Sequence, residues 1–176
     1  MRFVPTGLEG AWLIESEAAT DERGVFARTF CEREFAAHGI VFRVVQCSTS
    51  YNKRRGTLRG MHYQAGEAAE DKLVRCTAGA IHDVIVDLRP GSATRLKWYA
   101  SELSAENRRQ LFAPKGFAHG FMTLSDGAEV YYQMAQFYEP AAARGVRWND
   151  PALAIRWPAI EPILSERDRG YPALAA

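Results

Sequence analysis

The chain has 176 residues, 47% hydrophobic, 24% charged and 11% aromatic, with a net charge of +1. Such a composition excludes a disordered chain and fits one domain built on one sizeable core. So small a charge leaves no basic footprint for nucleic acid or an anionic membrane; an anionic partner would be held by a few local Arg and Lys side chains, as a small phosphorylated ligand is.

The chain opens on an extended arm carrying Pro5 and Gly7, of a kind that can pair with a neighbouring subunit. Short strands are expected at 11–15, 25–30, 41–49, 72–77, 80–88, 95–102, 110–114, 116–124 and 129–138, divided by turn signals at 54–56, 66–69, 89–92, 104–107 and 125–127. One short helix is expected over 32–38, with Gly39 as its stop. Many short strands without intervening helices predict an all-β sandwich or barrel. After Tyr138 the texture changes: 139–144 is rich in Ala, and the tail carries Pro151, Pro158, Pro162 and Pro172. It reads as irregular chain with a turn or two of helix, wrapped on the barrel. No repeat, low-complexity segment or linker divides 1–176, which reads as a single domain.

Alternation assigns some faces. Along 80–88, His82, Val84, Val86 and Leu88 share one side, opposite Ile81, Asp83, Ile85 and Asp87, so this strand is expected to be central, with the His82 face inward. Along 129–138, Tyr132, Met134, Gln136 and Tyr138 fall together; a face with two tyrosines and a glutamine suits a binding cavity.

Four segments could carry chemistry. In 56–64, GTLRGMHYQ, Arg59 offers a fork of donors for a phosphate, and His62 is of the residue type that accepts a proton near neutral pH. Strict alternation would send these two to opposite faces, but a bulge at Gly60 would bring both to one cavity. In 70–75, EDKLVR, Lys72 could stabilise an enolate oxygen, or simply belong to a solvated charge cluster. In 112–121, FAPKGFAHGF, His119 sits where backbone can approach a ligand closely, or in a tight turn at a barrel rim. In 164–169, LSERDR, Asp168 could orient a histidine, or lie on an exposed charged turn.

Other classes find little support. No apolar run reaches the length of a membrane helix, and none near the N-terminus has signal-peptide length. Cys31, Cys47 and Cys76 are odd in number and widely spaced, which argues for free thiols in a reducing cytosol over a disulfide framework. His38, His62, His82 and His119 form no HxH or HxxxH pair, so no metal site is expected.

Taken in order, DERGVF (21–26), VVQ (44–46), GTLRGMHYQ (56–64), DKLVRCTAGAIHDVIVDLR (71–89), LSAENRRQLFAPKGFAHGFMTL (103–124), YYQMAQFY (131–138), RWNDP (147–151), IRWP (155–158) and LSERDR (164–169) resemble the dTDP-4-dehydrorhamnose 3,5-epimerase family of deoxysugar biosynthesis. The joint occurrence of LRGxHxQ, KLVR and PxGFAHGF is specific, and the resemblance covers nearly the whole chain. It implies an all-β, cupin-like jelly roll (double-stranded β-helix) with short peripheral helices. It further implies a cytoplasmic homodimer with exchanged N-terminal strands, without metal or other cofactor, acting on a nucleoside-diphosphate sugar that feeds cell-surface polysaccharide. The catalytic residues would be His62 as base, paired with Asp168, Tyr132 as acid from the opposite face of the ring, and Lys72 near the sugar's keto oxygen. Arg23, Arg59 and His119 would hold the diphosphate or neighbouring sugar, with Phe26 and Gln46 also contacting substrate and Tyr138 packing near the nucleoside.

The chain departs from the family at Arg28, where an acidic residue is usual, at Cys47-Ser48 after Gln46, and within 141–143, where a Glu is common. The catalytic set is intact. The nucleobase (dTDP, GDP or CDP) and the choice between C3, C5 or both stay open, as do the roles of Arg28 and His82. A 3,4-ketoisomerase of a nucleotide-linked keto sugar and a non-catalytic sugar-binding jelly roll are the alternatives.

Overall fold

A computed structural model describes residues 1–174. Thirteen strands and two short α-helices follow in order: β1 (Arg2–Pro5), β2 (Trp12–Glu15), β3 (Ala18–Asp21), β4 (Gly24–Ala27), α1 (Glu32–Ala37), β5 (Gln46–Asn52), β6 (Leu58–Gln64), β7 (Lys72–Ala78), β8 (Ala80–Asp87), β9 (Trp98–Ser104), β10 (Gln110–Ala113), β11 (Phe117–Thr123), β12 (Ala128–Met134), β13 (Ala143–Gly145) and α2 (Glu166–Arg169). A six-stranded sheet in the order β1-β2-β10-β7-β12-β5 faces a five-stranded sheet in the order β13-β6-β11-β8-β9, and β3–β4 stands apart as a hairpin. The strands pair antiparallel throughout, the pattern of a jelly roll, as expected.

Three apolar layers fix the strands. Leu13, Val74, Cys76, Ile81, Ile85, Leu111, Phe117, Phe121 and Val130 fill the space between the sheets. Phe35 of α1 sits with Ile14, Phe42, Leu73 and Phe112 on the outer face of the six-stranded sheet. The tail supplies Val146 and Leu153, with Ile155 and Trp157, over Met61, Val84, Val86 and Ala118 on the outer face of the five-stranded sheet. The central strands β2, β7, β8, β10 and β11 therefore send one alternation set into the barrel and the other under a cover.

The N-terminal arm forms β1, the edge strand of the six-stranded sheet, against β2. Several expectations change. The strand expected at 41–49 begins only at Gln46, because Phe42 leaves the sheet plane to pack on Phe30, Phe35 and Phe112. The strand expected at 129–138 ends at Met134, so Tyr138 is not on its face by alternation. His82 lies on the outer face against Trp157, with ring centroids 5.9 Å apart, not inward; Asp83 is the interior neighbour. The helix keeps its expected place over Glu32–Ala37, and Gly39 follows it at φ +75°.

Candidate active site

The barrel interior opens into a cavity of about 450 Å³, within the range of small-molecule sites. It takes Gln46, Ser48 and Ser50 from β5, Arg59, His62 and Gln64 from β6, Lys72 from β7, His119 from β11 and Tyr132 and Met134 from β12, with Glu70, Tyr138, Arg144 and Arg167 at its margins. Of the residues singled out in the sequence, His62, Lys72, Tyr132, Gln46, Arg59, His119 and Tyr138 meet here.

Arg59 and His62 share the cavity because β6 carries a bulge. His119 pairs with His62 while Phe121 pairs with Arg59, so β6 has one more residue than β11 over this stretch. The extra residue falls at Gly60, as expected. Gly60 has φ +137°, and a Cβ there would stand 2.5 Å from the Cα of Gly120.

His62 donates from Nε2 to Asp168 Oδ1 at 2.5 Å, which leaves Nδ1 as the basic nitrogen of the neutral ring. The histidine side chain is 38% exposed and the aspartate 5%, so the base is open to a ligand while its partner is enclosed. Local sequence sets the aspartate's position. Ser165 caps α2, accepting from the Asp168 backbone N–H at 3.1 Å, and Gly170 ends the helix one turn later. Burial pushes the Asp168 carboxyl up, but hydrogen bonding and attraction from His62, with smaller help from Ser165 and the Gly60 backbone, leave it below the usual carboxylate value.

A second histidine–carboxylate pair lies deeper. His119 Nε2 donates to Asp83 Oδ1 at 2.7 Å, with both side chains buried. The His119 ring stands edge-on to Tyr132, centroids 5.7 Å apart. Burial, and next the Asp83 charge, raise the Tyr132 phenol well above its usual value, against a smaller opposing pull from Arg59. The residue counts as half-buried only because its ring lines the cavity.

The wall is rich in cations. Arg59 donates from Nε to Asn52 Oδ1 at 2.8 Å, Arg144 donates to the carbonyls of Ala141 and Ala143, and Arg167 donates from Nε to the Tyr171 hydroxyl at 2.7 Å. None of the three has a carboxylate partner among the described residues, so their remaining donors are available to an anion. Lys72 Nζ is paired with Glu70 Oε1 at 2.9 Å.

Arg23 and Phe26 are not brought to this cavity. They sit on the β3–β4 hairpin, where Phe26 is 83% exposed and Arg23 pairs with Asp21, because the hairpin pairs with neither sheet. Arg28, just beyond β4, donates to Glu34, which also holds the Met1 amine, and so serves the hairpin's base and α1. Sequence reasoning passed over Asp83, Asn52, Glu70, Arg144, Arg167 and Tyr171. Alternation along 80–88 did put Asp83 opposite His82, and the Ser165-x-x-Asp168 spacing is a capping signal; the others come together only through the fold.

Among the described residues no three His, Cys, Asp or Glu side chains converge as metal ligands. Nor, among the described residues, is any helix long and apolar enough to cross a membrane.

The family model described as dTDP-4-dehydrorhamnose 3,5-epimerase matches residues 5–176. A dTDP-4-dehydrorhamnose 3,5-epimerase of Methanothermobacter thermautotrophicus is 46% identical over 176 residues, covering 98% of this chain and 94% of its own. The crystal structure of the same enzyme from Bacillus anthracis, with TDP and PPi bound, superposes with a TM-score of 0.95 at 42% identity, covering 98% of this chain and 99% of that one. A dTDP-4-dehydrorhamnose 3-epimerase of Streptomyces niveus is 40% identical, covering 99% of this chain and 84% of its own.

Proposed function

The chain belongs to the dTDP-4-dehydrorhamnose 3,5-epimerase family, and from that membership we propose that it epimerises C3 and C5 of a dTDP-linked 4-keto-6-deoxy sugar through an enolate. The observation that carries this reading is one cavity holding an accessible histidine on a buried carboxylate, a tyrosine edge-on to a second histidine, and a lysine.

The 4-keto group acidifies the hydrogens at C3 and C5, yet they stay far less acidic than an imidazolium. Proton removal therefore needs the enolate oxygen stabilised as it forms, which a fixed cation in an enclosed cavity does. In this reading His62 Nδ1 takes the proton from carbon, and Asp168 orients the ring and stabilises the imidazolium. Lys72 faces the forming oxyanion. Tyr132 returns a proton to the same carbon from the other face, inverting the centre, and both groups then reset by exchange with solvent. His119, backed by Asp83, donates to the sugar or diphosphate from β11.

Arg59 binds the diphosphate, with Gln46 on the same wall and Tyr138 against the nucleoside. Arg23 and Phe26 serve a site only in a homodimer. The N-terminal element taken to cross to a partner is the β3–β4 hairpin, which pairs with neither sheet, and its exposed Phe26 supports that role. The reading takes 1–176 as one domain working in the cytoplasm, where the three free cysteines stay reduced.

The test offers dTDP-, GDP- and CDP-linked 4-keto-6-deoxy sugars separately and assigns product stereochemistry by NMR. Inversion at C3 and C5 of the dTDP sugar is expected. Inversion at C3 alone would favour the activity named for the Streptomyces niveus relative. Turnover of only the GDP or CDP sugar would overturn the choice of nucleobase.

A further inference from the structure

Lys72 is the one lysine among the described residues lining the cavity. A free lysine side chain carries several torsions and three rotatable donors, and would sweep a wide space in an open cavity. Here the ammonium is held at 2.9 Å by Glu70, and the two side chains are only 11% and 7% exposed. The ammonium has no further protein acceptor among the described residues, which leaves its donors for an oxygen of the substrate.

Glu70 belongs to no strand. It lies between the 3-10 turn Gly66–Ala68 and the first residue of β7. Its second oxygen accepts from Gln64 Nε2 at 3.1 Å. Gln64 is buried and held at both ends: its two Nε2 N–H groups are shared among Glu70 and the carbonyls of Ala68 and Phe137, and Oε1 accepts from the Glu139 backbone N–H at 2.6 Å. A continuous set of fixed groups thus runs from β6 through Gln64 and Glu70 to the Lys72 ammonium. A buried ion pair is weak evidence for stability, since apolar replacements often fold as well. A buried glutamate against the reaction's cation therefore calls for a reason in the reaction.

We propose that Glu70 is a positioning residue which, braced by Gln64, holds the Lys72 ammonium where the enolate oxygen forms and acts on the reaction only through Lys72. The proposal rests on the reading of Lys72 as the enolate's cation. A cation fixed before the reaction needs no reorganisation as charge develops, which is where such groups gain their effect. An unbraced ammonium would have to be collected from many rotamers in each turnover.

The test is a double-mutant cycle with wild type, Glu70→Gln, Lys72→Met and the double variant. Glu70→Gln keeps size and an oxygen for Gln64 but removes the charge. Proton–deuterium exchange on a dTDP-linked 4-keto-6-deoxy sugar is followed with enzyme in excess, so that slow variants remain readable, alongside KM, kcat and melting midpoints. In the wild-type background Glu70→Gln is expected to lower kcat roughly tenfold with KM within about twofold, and to change nothing further once Lys72 is Met, as coupled neighbours behave. An equal loss in both backgrounds, or a lowered melting midpoint with kcat intact, would overturn the proposal. Lys72→Met turning over at the wild-type rate would remove the reading of Lys72 itself, and the proposal with it; a slow Lys72→Met with an additive Glu70→Gln overturns the proposal alone.

Discussion

His119 on β11 stands directly across from His62 on β6, yet two residues further along β11 the partner is Arg59, three residues back on β6. That mismatch is what turns Arg59 and His62 toward one cavity. It depends on Gly60, whose φ of +137° and 2.5 Å approach to Gly120 leave no room for a Cβ. Gly60→Ala is expected to cost more than about 3 kcal/mol, in the range of strained or overpacked sites. Denaturant unfolding at neutral pH checks this. A loss below about 1 kcal/mol would mean that the bulge is not held by the glycine.

The Asp168 pair gives a pH dependence with a definite sign. The folded carboxyl lies below its ordinary value of 3.8, so its stabilisation is present above that value and is lost as pH falls through the lower, folded one. Wild type should exceed Asp168→Asn in melting temperature at pH 6 to 7, and the gap should narrow as the pH drops below about 4. Exchange of the substrate's C–H protons by Asp168→Asn should fall about a hundredfold, the scale of a mispositioned general base. Equal activity with an unchanged gap would detach Asp168 from the base.

Local pattern carried the reading of Tyr132 and of the bulge, while Lys72 and His119 came to the cavity through the family resemblance. Alternation along β7, β11 and β12 turns Lys72, His119 and Tyr132 inward with Val74, Phe117 and Val130 of the central layer, and Gly60 signalled the bulge. Spacing could not join His62 to Asp168, because 106 positions of chain separate them and the contact is made by the tail; only the resemblance to a family supplied that pair. Tyr138 looked like a continuation of β12, but the strand stops at Met134 and Gln64 fixes the backbone of the segment beyond. His82 was misassigned because β8 is covered on both faces, and period-2 alternation does not say which apolar face belongs to the cavity.

The exposed hairpin leads to a complementation experiment. Arg23→Ala chains, weakly active alone, and His62→Ala chains, inactive alone, should regain activity when coexpressed, because a mixed dimer restores one site with His62 from one chain and Arg23 from the other. Up to about a quarter of wild-type sites should return if the chains mix at random and Arg23 serves the partner's cavity. No regain, or a sedimentation mass equal to one 19.7 kDa chain, would confine Arg23 to its own chain or remove the dimer.

The division of labour between His62 and Tyr132 is the centre of the account, and proton NMR in deuterated buffer with a dTDP-linked 4-keto-6-deoxy sugar reads both halves at once. Wild type should lose the C3 and C5 proton signals and form the epimer together. His62→Ala should do neither while keeping its melting profile. Tyr132→Phe should still wash deuterium into the first carbon but form epimer at least about a hundredfold more slowly, as expected on removing a general acid. Normal exchange by His62→Ala, or equal loss of exchange and epimer in Tyr132→Phe, would contradict the assignment of base and acid to opposite faces of the sugar.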